Sequence, residues 1–169
     1  HFGNLLESMA ADPDRPISRL PMLSAEERRQ VTVQWAENRT PYPSGSTIHE
    51  LFEAQAQRTP QAVAVSLGER TLTYGELNAR ADVLARRLAA LGVGPESVVG
   101  ICTERSPEMV IGLLGILKAG GAYMPLDPSY PRERLAFMLR DARAGVLLVQ
   151  GDLPAGLAGC GAAVVRLDS

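Results

Sequence analysis

Any phosphate or acyl chemistry carried by a lysine in this chain would rest on Lys118. Of the 17 basic residues among 169, 16 are arginine and one is lysine. Lys118 falls in the last turn of an expected helix, with Gly120-Gly121 just beyond. A cation there complements the negative end of the helix dipole, and glycine supplies the positive φ that ends a helix. The residue types around it therefore give Lys118 a structural reading. Other reactive types fare similarly. Gly92-Val93-Gly94 lacks the third glycine of a dinucleotide loop and precedes a strand instead of joining strand to helix, so a helix stop and a turn account for it. Ser44-Gly45-Ser46-Thr47 has the composition of a phosphate loop, but no lysine follows and no strand precedes. His49 lies on a capped helical turn with no serine–aspartate partnership in view. Ser66 and Ser129 sit in no GxSxG elbow. Cys102 ends an apolar strand, where a buried, inert thiol is expected. Glu104 and Asp127 each follow a strand, on the edge where parallel sheets place their sites, but a lone carboxylate does not define one.

The elements that would carry these residues are readable from caps and periodicity. Residues 4–11 form the tail of a helix that stops in the turn-rich stretch 12–16. Three capping boxes follow: Ser24 with Glu27, Thr47 with Glu50, and Thr73 with Glu76. In each, a hydroxyl accepts from the backbone three residues on while the glutamate reaches back. They predict helices over 24–38, 47–58 and from 73 onward. The second places Ile48, Leu51 and Phe52 on one face. The third carries Leu77, Ala81, Leu84, Leu88 and Leu91 in steps of four and three, one apolar stripe, with Gly92 as its stop. Strands are expected over 62–67 and 70–73, then 97–102, 122–126, 146–150 and 163–167. Between them, Ser106-Pro107 opens an apolar helix to Ala119, and 131–143 is amphipathic. Strands alternating with helices imply βαβ crossovers, a mostly parallel sheet and helices on both of its faces.

Composition narrows the function classes. The net charge is -2, with 46% hydrophobic and 21% charged residues, values of an ordinary globular protein. No clustered positive excess points to nucleic acid or to an anionic membrane, and no apolar run is long enough to span a bilayer. Residues 1–14 lack the pattern of a signal peptide. Two cysteines without a CxxC, beside two histidines, argue against a disulfide framework or a zinc site. A cytoplasmic location is the expectation. Residue chemistry alone stops at part of a soluble α/β domain.

Three stretches carry a resemblance that goes further. Leu72-Thr73-Tyr74-Gly75-Glu76-Leu77-Asn78 resembles the first core motif of the amino-acid adenylation domains of nonribosomal peptide synthetases, within the acyl-adenylate-forming superfamily. Residues 117–127, from Leu117-Lys118-Ala119-Gly120-Gly121 to Leu126-Asp127, resemble the second. The continuation Pro128-Ser129-Tyr130-Pro131-Arg132-Glu133-Arg134-Leu135 is similar to the peptide-synthetase branch in particular. Upstream, Leu5-Leu6-Glu7-Ser8-Met9 and Leu20-Pro21-Met22-Leu23-Ser24 resemble the end of a condensation domain and its linker, and residues 48–55 the entry to an adenylation domain.

The resemblance implies residues 1–23 as a condensation-domain tail, 24–46 as an interdomain linker, and 47–169 as the N-terminal part of the adenylation domain's large subdomain. That part is an α/β fold, a mostly parallel sheet flanked by helices and preceded by a helical linker. It implies a parent enzyme that uses ATP and Mg²⁺ to make an aminoacyl adenylate and loads it on the phosphopantetheine thiol of a carrier domain. The implied partners are the condensation domain, the remainder of the adenylation domain and the carrier domain, with no nucleic acid and no membrane. The family's glycine-rich phosphate loop, ribose-binding aspartate and catalytic lysine have no counterpart in these residues. No catalytic, cofactor-binding or metal residue is therefore assigned, and the stretch alone is expected to be inactive. Two readings stay open. One is an enzyme portion; the other is a docking or scaffold segment that orients condensation and adenylation domains.

Overall fold

The computed structural model describes residues 1–37, 43–153, 157 and 159–168. The chain divides into two compact units, 1–44 and 45–169.

In the first unit, helix α1 spans Phe2–Ala11 and helix α2 spans Ala25–Arg29. The capping box of α2 forms as expected: the Glu27 amide donates to Ser24 Oγ at 3.1 Å, and the Ser24 amide to Glu27 Oε2 at 2.8 Å. The continuous helix expected over 24–38 does not form. After Arg29 the backbone loosens into a π-helical segment, Gln30–Gln34, closed by the Trp35 amide on the Gln30 carbonyl. Val31, Thr32 and Val33 are β-branched in a row, and the Thr32 hydroxyl donates to the Arg28 carbonyl at 2.7 Å. Crowded side chains and a hydroxyl competing for a helical carbonyl both favour such a break. No residue of these helical segments is buried.

The second unit starts with α3 (Ile48–Arg58), capped by Thr47 and Glu50. Its buried face is not the expected one. Ile48 and Leu51 stay exposed, whereas Ala56 is buried and Phe52 packs on the core. Phe52 also meets the Tyr74 ring at 5.7 Å between centroids. Strands β1 (Val63–Leu67) and β2 (Arg70–Thr73) make an antiparallel hairpin around Gly68 at φ 58°, a conformation glycine adopts at no steric cost. Thr73 then caps α4 (Tyr74–Ala90). Leu77, Ala81, Leu84 and Leu88 are buried as the stripe predicted, and Leu91 is exposed. Gly92 follows at φ 86°, with the Val93 amide on the Leu88 carbonyl, the pairing that closes a helix end.

Strand β3 (Val98–Cys102), helix α5 (Pro107–Lys118), strand β4 (Ala122–Pro125), helix α6 (Arg132–Asp141), strand β5 (Val146–Val149) and strand β6 (Ala163–Arg166) complete the unit. The last four strands form one parallel sheet in the order β4-β3-β5-β6. Side chains alternate across its two faces, as a strand's period of two requires. Val99, Ile101, Val146, Leu148 and Val165 face α4 and α5 in one cluster. Cys102, Leu147 and Val149 face Leu135 and Leu139 of α6, together with Leu126 and Leu157, in the other. Close packing on the α4–α5 face uses glycines. A Cβ on Gly112 would stand 2.7 Å from Ile101 Cδ1, and one on Gly115 the same distance from Leu84 Cδ2.

Candidate functional site

Strand order fixes where a crevice opens. From the C-terminal end of β3 the chain turns to α5, on the face shared with α4. From the end of the neighbouring β5 it runs through Leu153, Leu157 and Cys160, which pack on the opposite face beside α6. Where two adjacent parallel strands send their connections to opposite faces, the loops part and a cleft forms at the strand ends.

A cleft of about 580 Å³ lies there. Cys102, Thr103 and Ser106 line it from the β3 side, Gln150, Gly151 and Asp152 from the β5 side, and Leu67 and Arg70 come from the hairpin. Thr103, Glu104, Arg105 and Pro128 continue into a second groove of about 700 Å³ at the end of β4, lined also by Met109, Leu113, Tyr123 and Asp127.

One polar network holds the wall of this crevice. Ser106 caps α5: its Oγ accepts from the Met109 amide at 3.1 Å and donates to Gln150 Oε1 at 2.7 Å. Gln150 Nε2 donates to Glu108 Oε2 at 3.4 Å, and Glu108 Oε1 pairs with the Arg70 guanidinium. Glu108 is a buried charged residue, its side chain 11% exposed. Burial pushes its carboxyl up, but the Arg70 hydrogen bond and charge outweigh that and leave it below the usual range. The network thus ties the hairpin, the start of α5 and the end of β5 together. No local pattern announces it, because Arg70 and Glu108 stand 38 residues apart. The one sequence signal is an acidic residue in the first turn of a helix that is otherwise apolar until Lys118 at its end.

The sequence-derived candidates are dispersed. Glu104 and Asp127 do reach the sheet edge and line the same groove. Asp127 accepts from the Ser129 amide at 2.8 Å, and bonds from the Ser129 side chain and backbone hold its carboxyl below the usual range. Cys102 is the buried thiol expected, raised by burial and then by the nearby Asp127 charge. A raised thiol is a poor nucleophile. His49 contacts only its own cap, at 3.3 Å from Thr47 Oγ1, and Ser66 lies exposed on β1.

Lys118 is nowhere near the crevice. It stands at the other end of α5 from Ser106, and the 12 residues of that helix span about 18 Å. Its side chain is only 5% exposed, with Nζ 2.5 Å from Glu53 Oε1 and 2.6 Å from Asp82 Oδ1. Burial pulls the ammonium down, but the bonds from Asp82 and Glu53 more than offset it and raise the group above its ordinary 10.5. The structural reading of Lys118 stands with a different cause: the lysine joins α3, α4 and α5 through two carboxylates. Among the described residues no group of three or more His, Cys, Asp or Glu side chains is placed to hold a metal ion. The one lysine is sequestered, and of the arginines that line the crevice Arg70 is engaged with Glu108, so the described residues offer no lysine to a nucleoside triphosphate there.

Comparisons with known proteins match this architecture. A family model for AMP-binding enzymes matches residues 52–168. The chain is 50% identical over 166 residues to one of the linear gramicidin synthase proteins of Brevibacillus parabrevis, covering 98% of this chain and 3% of that protein. It is 45% identical over 153 residues to gramicidin S synthase 2 of Aneurinibacillus migulanus, covering 90% of this chain and 3% of that one. Among solved structures, a serine-to-alanine variant of the nonribosomal peptide synthetase FmoA3 superposes with a TM-score of 0.77 at 37% identity, over 99% of this chain and 18% of that one. The N-terminal subdomain of Klebsiella oxytoca NpsA, in complex with 3-hydroxybenzoyl-AMSN, gives 0.61 at 28% identity, over 71% of this chain and 30% of that one. The chain thus spans only a few per cent of the curated relatives it matches.

Proposed function

The chain belongs to the AMP-binding enzyme family, as the N-terminal part of a nonribosomal peptide synthetase adenylation domain, and from that membership we propose a division of labour. The parent protein activates an amino acid with ATP and Mg²⁺ to an aminoacyl adenylate and loads it on the phosphopantetheine thiol of a carrier domain. Residues 47–169 supply a scaffold to that reaction and none of its reacting groups. The observation that carries this reading is Lys118. Adenylation needs cationic donors where charge develops on phosphate and carboxylate, and the only lysine is locked between Glu53 and Asp82, a helix length from the crevice. The isolated 169 residues are expected to give no ATP–pyrophosphate exchange with any amino acid, while the parent module exchanges. Exchange by the isolated chain would overturn the reading.

A second reading applies to residues 1–44. Phe2, Ile17, Met22 and Trp35 are each more than half exposed, and no side chain of their helical segments is buried. A segment with that much unburied apolar surface is suited to docking on a folded neighbour. We propose residues 1–23 as the tail of a condensation domain and 24–46 as the linker to the adenylation domain.

A further inference from the structure

The outer face of α4 is not explained by the scaffold. Beside its buried stripe runs Arg80, Val83 and Arg87, at spacings of three and four. Val83 is 60% exposed, an apolar side chain in water between two guanidinium groups. The three residues form one wall of a groove of about 420 Å³, floored by Leu84, Ile111 and Leu167. Arg166 lines the far side and donates to the Gly151 carbonyl at 3.2 Å. Two carboxylates also line the groove, and both are engaged within the fold. Glu108 pairs with Arg70 and Gln150, and Asp168 accepts from the Gly151 amide at 3.0 Å. Among the described residues Arg80 and Arg87 make no hydrogen bond or ion pair; Arg80 only feels the charges of Glu76 and Glu108.

We infer that this groove docks an acidic amphipathic helix of a partner polypeptide. The geometry sets the partner's pattern. Arg80 and Arg87 are seven residues apart, about 10 Å along the helix axis, and Val83 projects between them. A second helix meets both guanidinium groups with glutamates spaced by seven, and covers Val83 and the apolar floor with a leucine between them, as in Glu-x-x-Leu-x-x-x-Glu. Guanidinium forks match carboxylates in two-point hydrogen bonds, and the leucine removes from water a floor that charge alone would leave wet. A nucleic acid fits worse, because it offers phosphates at every step to a groove that also holds Glu108 and Asp168, and the groove has no aromatic side chain on which a base would stack. The inference does not depend on the adenylation reading.

The test uses the whole 169-residue chain and a fluorescently labelled synthetic peptide of roughly 18 residues, long enough to hold a helix, carrying the Glu-x-x-Leu-x-x-x-Glu pattern. Anisotropy should show saturable binding with a Kd on the order of 10–100 μM, weakening as salt rises. Arg80→Glu with Arg87→Glu should weaken it about tenfold, the sum of two exposed charge pairs, and Val83→Ser several-fold. Arg87→Glu alone is set against Arg86→Glu as the control: the same helix and the same charge change, on a side chain that does not line the groove. Thermal melts should be unmoved by Val83→Ser, Arg86→Glu and Arg87→Glu, and slightly lowered by Arg80→Glu, which sets a carboxylate near Glu76 and Glu108. No saturation at about 1 mM peptide would overturn the inference. So would an equal loss from Arg86→Glu, or equal binding of a single-stranded oligonucleotide of matched charge.

Discussion

Replacing Lys118 with methionine should destabilise the fold by about 1–3 kcal/mol. That is less than the 3–5 of a fully buried pair, because the two carboxylates left behind are about 40% exposed. The pH dependence separates lost charge from lost packing. The lysine's affinity for its proton is raised in the folded chain. Its contribution is therefore complete below about 10.5 and lost as the pH climbs through the higher folded value. Wild type and Lys118→Met melting temperatures should converge at strongly alkaline pH. Glu108 has the opposite sign. Its carboxyl is held below 4.5, so Glu108→Gln should cost on the order of 1 kcal/mol at neutral pH, discounted because Arg70 is 58% exposed. The difference should shrink as the pH falls below the carboxylate range. Neither partnership was readable from the sequence. A capping box spans three residues, so its chemistry is local and legible, but Lys118 meets Asp82 across 36 residues and Glu53 across 65. Only the fold brings those together.

Among the elements, α5 is the one whose composition runs against its own propensity. Two glycines in a helix of 12 residues sacrifice about 1 kcal/mol each relative to alanine, yet both sit where neighbours press closest. Gly115→Ala should lower stability by about 1–3 kcal/mol in spite of the propensity gain, because the new methyl meets three atoms of Leu84 within 3.1 Å. Combining it with Leu84→Ala should cost less than the sum of the two single changes, a coupling that denaturant melts of all four chains would measure. Helix and strand positions followed closely from caps and apolar spacing in the second unit. Which face of α3 turns inward did not: Ile48 and Leu51 are as apolar as Phe52, and only the position of Tyr74 and the core decides that Phe52 is covered. The π-helical segment after Arg29 was missed because capping signals mark where a helix starts and say little about where its pitch changes.

At the scale of the whole molecule, every side chain of the two core clusters lies between Phe52 and Leu167. A chain beginning at residue 45 should therefore keep a single cooperative melt close to that of the full 169 residues, measured by circular dichroism. A fall of more than about 5 °C, worth roughly 1 kcal/mol in a domain of this size, would show that residues 1–44 help to hold the core. The parallel sheet and its helical layers were legible because alternation between strand and helix leaves few topologies. The crevice was legible only as an edge, since Glu104 and Asp127 could be placed after strands but the wall made by Arg70, Glu108 and Gln150 could not.

The sequestered lysine also sets how the surface answers reagents. Acylating agents, isothiocyanates and enzymes that modify lysine all need a free, accessible amine, and Lys118 offers one that is protonated, covered and held by two carboxylates. The basic surface is otherwise guanidinium, which such agents leave alone. Within these residues a label aimed at lysine should therefore find no reactive side chain until the fold opens, and labelling of Lys118 then reports that opening.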